Sequence, residues 1–269
     1  MKGNLLVSAT AVAIAAAAAI SMASPSVAQI PKMGGGFKDV MAIPVDDPET
    51  KAIAGALFKP AGAGPFPAVI YISTCADINS GEERFVQTLV RDRLLSKGFA
   101  MLIVDPYWPR QEWSGVCDKP NGGRDFDARG ARDILAAAEV LKGMPEINAN
   151  RIFIQGVGLG ASAALRAIDA GKATSSKAKL AGVIAVSPHC PKNAAPSAPV
   201  LILTGSADLW APAANCKALG HLSNVEVVVY PGVGHAFPMP FGHRAQHNRD
   251  AAKDAQDRAE AFLESHAIR

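Results

Sequence analysis

The chain has 269 residues, of which 49% are hydrophobic and 19% are charged. This composition is typical of a folded globular protein and argues against disorder, and the length suits one α/β unit. The 27 basic and 24 acidic residues are interspersed, so neither a basic stripe for nucleic acid nor a polybasic patch for a membrane is present in the sequence. Nucleic acid and membrane surfaces are therefore not expected partners.

The first 28 residues have the features of a signal peptide. Lys2 is their only charged residue, an apolar run extends from Leu5 to Ile20, and Ser26 and Ala28 place small residues at a cleavage site. An uncleaved membrane anchor is the alternative, but the run is rich in Ala and ends at a helix-breaking Ser-Pro-Ser. We expect cleavage after Ala28, a single mature domain of residues 29–269, and a periplasmic or secreted location.

Four cysteines are spaced widely along the mature chain: Cys75, Cys117, Cys190 and Cys216. Their number is even, and none of them forms the C-x-x-C spacing of a metal or redox site. In an exported protein this arrangement favours disulfides, with three connectivities open to four cysteines.

Short apolar runs alternate with helical patterns along the mature chain. The runs predict strands and the periodic segments predict helices; in the helix predicted at 82–97, Leu89 and Leu94 are expected on the buried face. Strands that are continuously apolar and separated by helices are typical of a parallel sheet covered on both faces. We therefore predict one α/β domain with a doubly wound, mostly parallel sheet and helices on both faces. The strands are predicted at 52–58, 68–73, 99–104, 151–155, 180–187, 199–204 and 225–230, and the helices at 82–97, 125–142, 159–170, 212–219 and 247–265, with an irregular segment at 106–123.

Candidate residues for chemistry follow three of the predicted strands. In such sheets ligands bind at the carboxyl ends of the strands. A glycine-flanked turn centred on Gly158 follows strand 151–155, Asp208 follows strand 199–204, and His235 follows strand 225–230. A sharp strand-to-helix turn, then an acid, then a histidine is the chain order of an α/β-hydrolase triad.

The sequence around the acid and the histidine resembles a known family. Residues 205–212 (GSADLWAP) and 230–237 (YPGVGHAF) are similar to the acid and histidine loops of the dienelactone hydrolase family, and more narrowly of its exported members with cysteines near the first catalytic loop. The resemblance extends from about Ala52 onward. It implies an α/β-hydrolase fold, hydrolysis of carboxylic esters or lactones by an elbow nucleophile with His235 and Asp208, and no cofactor or metal. The implied partner is a small-molecule ester, lactone or other apolar ligand.

One position departs from the family pattern. Gly158 stands where the G-x-[SC]-x-G elbow carries its nucleophile. Glycine has no side-chain atom that could form an acyl-enzyme, so the covalent route is unavailable at this position. Activity is therefore expected to be weak, rerouted or lost, and the alternative is a non-catalytic small-ligand-binding protein. The turn itself should tolerate glycine, because glycine accepts positive φ.

Two other residues could replace the missing nucleophile. Ser162 lies one helical turn beyond Gly158, which takes it away from His235 and favours a packing role. Cys75 follows strand 68–73, in the loop where the family builds part of its oxyanion hole, and a thiol there would be activated beside His235. The competing interpretation, which we favour, is a disulfide between Cys75 and Cys117, leaving Cys190 with Cys216 as the second pair.

The oxyanion loop also differs from the family. Where relatives have a His-Gly-type sequence, residues 73–77 read STCAD. Backbone N–H groups of Thr74, Cys75 and Leu159 remain candidate oxyanion donors, because an oxyanion hole uses main-chain hydrogen bonds. Asp208 and His235 have structural alternatives: the acid could serve the start of the helix near 212, and the histidine could have only a structural role in its loop.

Two further patterns give weaker indications of function. Trp108, Trp113 and Trp210 could line a hydrophobic pocket, with core packing equally compatible. His243 and His247 share an i, i+4 spacing, but without a Glu or a third ligand a solvated helix start is favoured over a metal site.

A dinucleotide fingerprint is the rival interpretation of the glycine turn. Gly156, Gly158 and Ala161 match G-x-G-x-x-[GA] between a strand and a helix. The acidic residue required at the end of the following strand is missing, because that strand ends at Ser187 and Pro188. We therefore expect no NAD binding.

Overall fold

The structure is a computed structural model that describes Met33, Phe37 and residues 39–119, 122–170, 179–240 and 246–267. The predicted signal peptide and His243 lie outside these residues. Within the described part of the chain, no helix is long and apolar enough to span a membrane.

A single eight-stranded sheet forms the centre of the described chain, in the order β1-β2-β4-β3-β5-β6-β7-β8. β2 is antiparallel to both of its neighbours, β1 and β4, and all other neighbouring strands are parallel. The mostly parallel sheet predicted from the sequence is therefore confirmed. The strands are β1 Val40–Pro44, β2 Ala52–Phe58, β3 Phe66–Ile72, β4 Ala100–Asp105, β5 Ile147–Val157, β6 Gly182–Val186, β7 Val200–Gly205 and β8 Val225–Tyr230.

Helices cover both faces of the sheet. Successive residues of each buried strand point to opposite sides, so each strand presents apolar side chains on both faces. In β3, Ile70 packs into the core beneath α2 and α3, whereas Tyr71 packs into the core beneath α1 and α5. Two apolar cores thus sandwich the sheet, as the predicted doubly wound architecture requires. The helices are α1 Gly81–Ser96, α2 Gly122–Lys142, α3 Leu159–Ala167, α4 Ala213–Lys217 and α5 Arg249–Ala267, and residues Trp108–Arg110 form a 3-10 turn.

The structure corrects the sequence prediction at several places. β1 was not predicted, although its sequence VMAIP is apolar throughout; it is a short edge strand that is mostly only partly buried. The buried face of α1 consists of Val86, Val90 and Leu94, spaced four residues apart, which leaves Leu89 42% exposed. The prediction that Leu89 is buried was therefore wrong. β5 also begins earlier than predicted, at Ile147, and α3 ends earlier, at Ala167.

Both disulfides that we favoured from the sequence are present. Cys75 is bonded to Cys117 and Cys190 to Cys216, and no free cysteine remains. The two bridges span 42 and 26 residues. By the chain-entropy estimate each contributes about 3 to 4 kcal/mol to the free energy of unfolding.

A buried ion cluster anchors the 3-10 turn that follows β4. The Arg110 guanidinium donates to both carboxylate oxygens of Asp133 on α2, each at 2.9 Å, and to Asp47 in the β1–β2 connection at 3.1 Å. The Arg110 side chain is fully buried and the two carboxylates are nearly so. Burial alone would raise the pKa of Asp47, but the hydrogen bond and charge of Arg110, together with the backbone N–H groups that contact the carboxylate, outweigh burial and lower that pKa. The cluster ties three separate parts of the chain together.

We expect Arg110→Met to lower the free energy of unfolding by about 3 to 5 kcal/mol at pH 7, because it removes the buried cation that is hydrogen-bonded to both carboxylates. Urea denaturation followed by circular dichroism measures the loss. The matched control is Arg93→Met, since Arg93 pairs with Asp257 at the surface, and it should cost less than about 1 kcal/mol. Equal losses for the two variants would contradict the role given to the cluster.

Candidate functional site

The glycine turn after β5 has the backbone of a nucleophile elbow. Gly158 lies between β5 and α3 with φ 56° and ψ −118°, a region that residues with side chains adopt only under strain. Its flanking glycines allow the sharp reversal: a Cβ on Gly156 would lie 2.5 Å from the carbonyl carbon of Gly160, and a Cβ on Gly160 would collide with the carbonyl oxygen of Ser73. The strand therefore turns into the helix within three residues.

Asp208 and His235 meet at the same edge of the sheet. His235 Nδ1 lies 2.7 Å from Asp208 Oδ2, and the Asp208 side chain is fully buried while that of His235 is 14% exposed. The other carboxylate oxygen of Asp208 accepts hydrogen bonds from the backbone N–H groups of Trp210 and Ala211, at 2.9 and 2.8 Å. Asp208 thus contacts both the histidine and the turn that leads toward α4.

The charge of Asp208 is stabilised by these contacts. Burial alone would raise the pKa of Asp208, but the hydrogen bonds from His235 and from the N–H of Ala211, together with the other contacts of the carboxylate, outweigh burial and lower the pKa. An ionised Asp208 accepts the Nδ1 proton of His235, which leaves Nε2 as the nitrogen that can accept a proton.

The accepting nitrogen of His235 faces the elbow. A Cβ built on Gly158 would lie 3.6 Å from His235 Nε2 and 3.9 Å from the methyl group of Thr74. These are ordinary van der Waals distances, so a small side chain would fit there. The backbone brings the three triad positions together, and Gly158 leaves the space between them unfilled by a side chain.

The loop that carries His235 is held by contacts that we did not foresee from the sequence. The N–H of Ala236 donates to Ser187 Oγ at 3.1 Å, and the N–H of Gln246 donates to the carbonyl oxygen of His235 at 2.9 Å. Ser187 and Ala236 have φ of 50° and 47°, which is uncommon for residues other than glycine. The available signal was a serine directly after a buried strand that neighbours the elbow strand.

Neither substitute nucleophile is available in the structure. The Ser162 hydroxyl donates to the carbonyl oxygen of Gly158 at 3.1 Å and accepts from the N–H of His189 at 2.9 Å. Ser162 is also 97% buried, so its packing role is the better interpretation. The alternative that Cys75 acts as a thiol nucleophile was wrong, because its sulfur is bonded to Cys117.

The candidate oxyanion donors are only partly supported. The N–H of Thr74 donates to the carboxylate of Glu83 at 2.8 Å, so the expectation that Thr74 supplies an oxyanion donor was wrong. The N–H of Cys75 has no hydrogen-bond partner among the described residues. Leu159 begins α3, where N–H groups lack an intrahelical acceptor. Cys75 and Leu159 remain the candidate donors.

The tryptophans do not form one cluster. Trp108 packs edge-on against Trp113 at 4.9 Å between ring centroids, and its Nε1 donates to Asp77 at 2.8 Å. Trp210 lies on the separate loop after Asp208. Trp113 and Trp210 are 51% and 48% exposed, so core packing is wrong for both.

No metal site is visible in the part of the chain that the structure describes, where no three His, Cys, Asp or Glu side chains come together as ligands. His247, one member of the spaced histidine pair, has its Nδ1 3.1 Å from the carbonyl oxygen of Phe237. This contact attaches the start of the last helix to the histidine loop.

The sheet order and the meeting of elbow, acid and histidine at its carboxyl edge define the α/β-hydrolase class. Residues 53–267 match the sequence model of the dienelactone hydrolase family, and the chain belongs to this family. The predicted resemblance is thereby confirmed, and the rival reading of the glycine turn as a dinucleotide fingerprint loses its basis.

Solved structures share the fold at low sequence identity. The dienelactone hydrolase of Anabaena variabilis is 19% identical, with a TM-score of 0.61 over 84% of this chain and 96% of that chain. A dienelactone hydrolase-like promiscuous phosphotriesterase from metagenomic libraries is 16% identical, with a TM-score of 0.69 over 84% and 98%. A thermophilic esterase from Thermogutta terrifontis is 14% identical, with a TM-score of 0.62 over 86% and 94%. No curated protein sequence matches the chain.

The lowered pKa of Asp208 predicts a pH-dependent stability. A carboxyl group whose pKa is lower in the folded state stabilises the fold above its unfolded pKa, near 4, and this contribution is lost as the pH falls through the folded pKa. We expect Asp208→Asn to lower the free energy of unfolding by about 1 to 3 kcal/mol at pH 7, with the deficit shrinking below about pH 4. Urea denaturation at pH 7, 5 and 3.5 measures it. The exposed Asp250→Asn is the control, and a deficit that stays constant with pH would exclude this account.

Proposed function

We propose that the protein binds small carboxylic esters or lactones, and that His235, oriented by Asp208, acts as a general base on water without a covalent nucleophile. One observation carries the proposal: His235 Nε2 lies 3.6 Å from the point where a side chain on Gly158 would begin, while Nδ1 is bound to buried Asp208. This geometry supports His235 as the general base, and a Cβ at Gly158 would make only ordinary van der Waals contacts beside Nε2.

The reaction then takes one addition and one elimination. His235 Nε2 accepts a proton from water while the water oxygen bonds to the carbonyl carbon of the ligand, and the negative charge moves to the carbonyl oxygen. N–H groups of Cys75 and Leu159 are the donors for this oxygen. The carbon–oxygen bond to the leaving group then breaks, and the imidazolium returns its proton to the departing alkoxide. The products are a carboxylic acid and an alcohol, or one hydroxy acid from a lactone.

The rate of this route should be low. In a working hydrolase, losing the nucleophile costs on the order of 10⁶ in turnover, while the remaining site retains about 10³ over water. The contacts of Ser162 and the disulfide of Cys75 support a mechanism without a protein nucleophile, because neither residue can take that role.

A second candidate is a protein that binds the same ligands without turnover. The observation in its favour is the hydrogen bond between the N–H of Thr74 and Glu83, which leaves the loop after β3 with fewer free amide donors. The two candidates differ in one measurement. If the general-base route operates, the parent protein should hydrolyse p-nitrophenyl acetate slowly and His235→Ala should lose this activity. If the protein only binds, neither protein should exceed the uncatalysed rate.

We expect Gly158→Ser to raise esterase activity on p-nitrophenyl acetate at least tenfold, because the elbow backbone is already formed and the Cβ that carries the new hydroxyl would lie 3.6 Å from His235 Nε2. The added Cβ at positive φ should cost about 1 to 3 kcal/mol of stability. The variant should also be labelled covalently by an organophosphonate probe, detected by mass spectrometry.

The matched control is Gly98→Ser, which introduces the same side chain at a positive φ with open space around it. It should show neither the gain nor the label, and His235→Ala in the Gly158→Ser background should abolish both. A folded Gly158→Ser protein without label and without any rate increase would show that the site is not preorganised, and the binding protein would then be the preferred function.

We also propose that residues 1–28 are removed during export. The sequence pattern of this segment supports it, and two disulfides suit an oxidising compartment. N-terminal sequencing of the protein from the periplasm or medium should begin at Gln29. An intact Met1 in a membrane fraction would contradict export with cleavage.

A further inference from the structure

The loop after β3, residues 74–76, lines the elbow and is held more tightly than a surface loop usually is. Its first residue places a methyl group 3.9 Å from the Cβ position of Gly158. A loop this close to Gly158 would form the wall that contacts a ligand carbonyl on the side opposite α3. We call residues 74–76 the β3 loop.

Both backbone polar groups of Thr74 are occupied by buried side chains. Its N–H donates to Glu83 Oε1 at 2.8 Å, and its carbonyl oxygen accepts from the Tyr107 hydroxyl at 2.5 Å. The Thr74 hydroxyl oxygen accepts from the N–H of Ala76 at 3.0 Å. These three bonds fix the orientation of the peptide planes on either side of Thr74.

The next residue is held from the other side. The carbonyl oxygen of Cys75 accepts from the N–H of Val116 at 2.7 Å, its sulfur is bonded to Cys117, and Ala76 forms a bridge with Gly115. Gly115 has φ 73°, and a Cβ there would collide with the backbone of the β3 loop. The segment 115–117 therefore packs directly against this loop.

One backbone amide of the β3 loop is not paired with any described residue. Within the described chain, the N–H of Cys75 has no hydrogen-bond partner, whereas those of Thr74 and Ala76 do. Polar groups near the protein interior are nearly always paired with protein, water or ligand. A donor held rigidly at the wall of the site is suited to a carbonyl oxygen.

Glu83 has a position that helix capping does not explain. In a Ser-x-x-Glu capping box the glutamate would accept from the N–H of Ser80, but that N–H donates to the carbonyl oxygen of Asp77 at 2.9 Å. The Glu83 carboxylate instead reaches the N–H of Thr74 and the hydroxyl of Tyr71, the latter at 3.2 Å. Glu83 is completely buried, and burying a carboxylate costs several kcal/mol unless its partners compensate.

We infer that Glu83 and Tyr107 are positioning residues, which hold the β3 loop so that the N–H of Cys75 points at the carbonyl oxygen of a ligand beside Gly158. The inference rests on the proposed function, because it assumes a carbonyl ligand. Glu83 fixes the peptide before Thr74 and Tyr107 fixes the one after it, which is the peptide that contains the N–H of Cys75.

The protonation states suit this arrangement. Burial, followed by the negative charge of Glu83, raises the pKa of Tyr71 and of Tyr107. Both hydroxyls therefore keep their protons at neutral pH and act as hydrogen-bond donors. Tyr107 also stacks on Phe126 at 5.4 Å between ring centroids, so removing its hydroxyl need not displace its ring.

The first test uses the Gly158→Ser background and p-nitrophenyl acetate. Tyr107→Phe should lower kcat at least tenfold with little change in KM, because a donor that serves the transition state is misplaced. Glu83→Ala should have a similar effect, and Glu83→Gln should restore most of kcat, since its amide can accept from Thr74 and contact Tyr71. Tyr230→Phe, which loses a hydroxyl bonded to Asp254 on α5, should leave kcat unchanged. Equal kcat for folded Tyr107→Phe and Tyr230→Phe would overturn the inference.

The second test does not need turnover. In the parent protein, the amide signal of Cys75 in an ¹H–¹⁵N NMR spectrum should move downfield on addition of 2-piperidone, a cyclic amide that presents a lactone-like carbonyl. This shift should be lost in Tyr107→Phe and in Glu83→Ala and retained in Tyr230→Phe. If hydrolysis of p-nitrophenyl acetate by the parent protein does not depend on His235 but these shifts appear, the proposed catalysis fails while the positioning role stands. Absence of the Cys75 shift in the parent, or its persistence in both variants, overturns the inference.

Discussion

The contact between the first turn of α3 and the end of β3 is the constraint on which the site depends. Gly160 lies so close to the carbonyl oxygen of Ser73 that no side chain fits between them. This approach makes the turn at Gly158 sharp, and it also places the β3 loop beside the elbow. Because parallel strands end at one edge of the sheet, Asp208 and His235 reach the same place from β7 and β8.

The elbow backbone persists although its central residue is glycine. A glycine could adopt many other conformations, yet Gly158 keeps the positive φ of an elbow. The surrounding packing, and not the central side chain, therefore determines the turn. Its conformation is a property of the whole strand-turn-helix unit, which explains how the acid and histidine can retain their relation to a position that carries no nucleophile.

Two buried ionic groups stabilise the segments around this edge. Arg110 joins the 3-10 turn after β4 to α2 and to the β1–β2 connection, and Glu83 joins the start of α1 to the β3 loop. Removing a charged group from water costs free energy that is offset only when its hydrogen bonds are made. Such a group therefore holds its partners in defined positions. The disulfide between Cys75 and Cys117 adds a covalent connection on the same side. These contacts hold the irregular segments after β3 and β4 in one defined arrangement.

Much of the architecture and part of the site followed from the sequence by itself. Continuous apolar runs separated by helical periods identified seven of the eight strands, including β2 and β8 with their observed bounds, and the chain order of Gly158, Asp208 and His235 pointed to the carboxyl edge. These features can be recognised in short stretches of sequence, because apolar periodicity and turn-forming residues involve only neighbouring residues. The edge strand β1 was missed although its five residues are apolar, because so short a run does not by itself show that it pairs with β2.

Only the tertiary structure decided which polar groups are occupied. The hydroxyl of Ser162, the N–H of Thr74 and the thiol of Cys75 were all plausible participants in chemistry, and each is bound to a partner, which lies 27, 9 and 42 residues away in the chain, respectively. Glu83 and Tyr107 carried no functional signal, because a glutamate in the first turn of a helix and a tyrosine in an irregular segment look ordinary in sequence. Residue types limit what a group can bind, but the partner that it does bind depends on distances across the sheet edge, which sequence spacing does not contain.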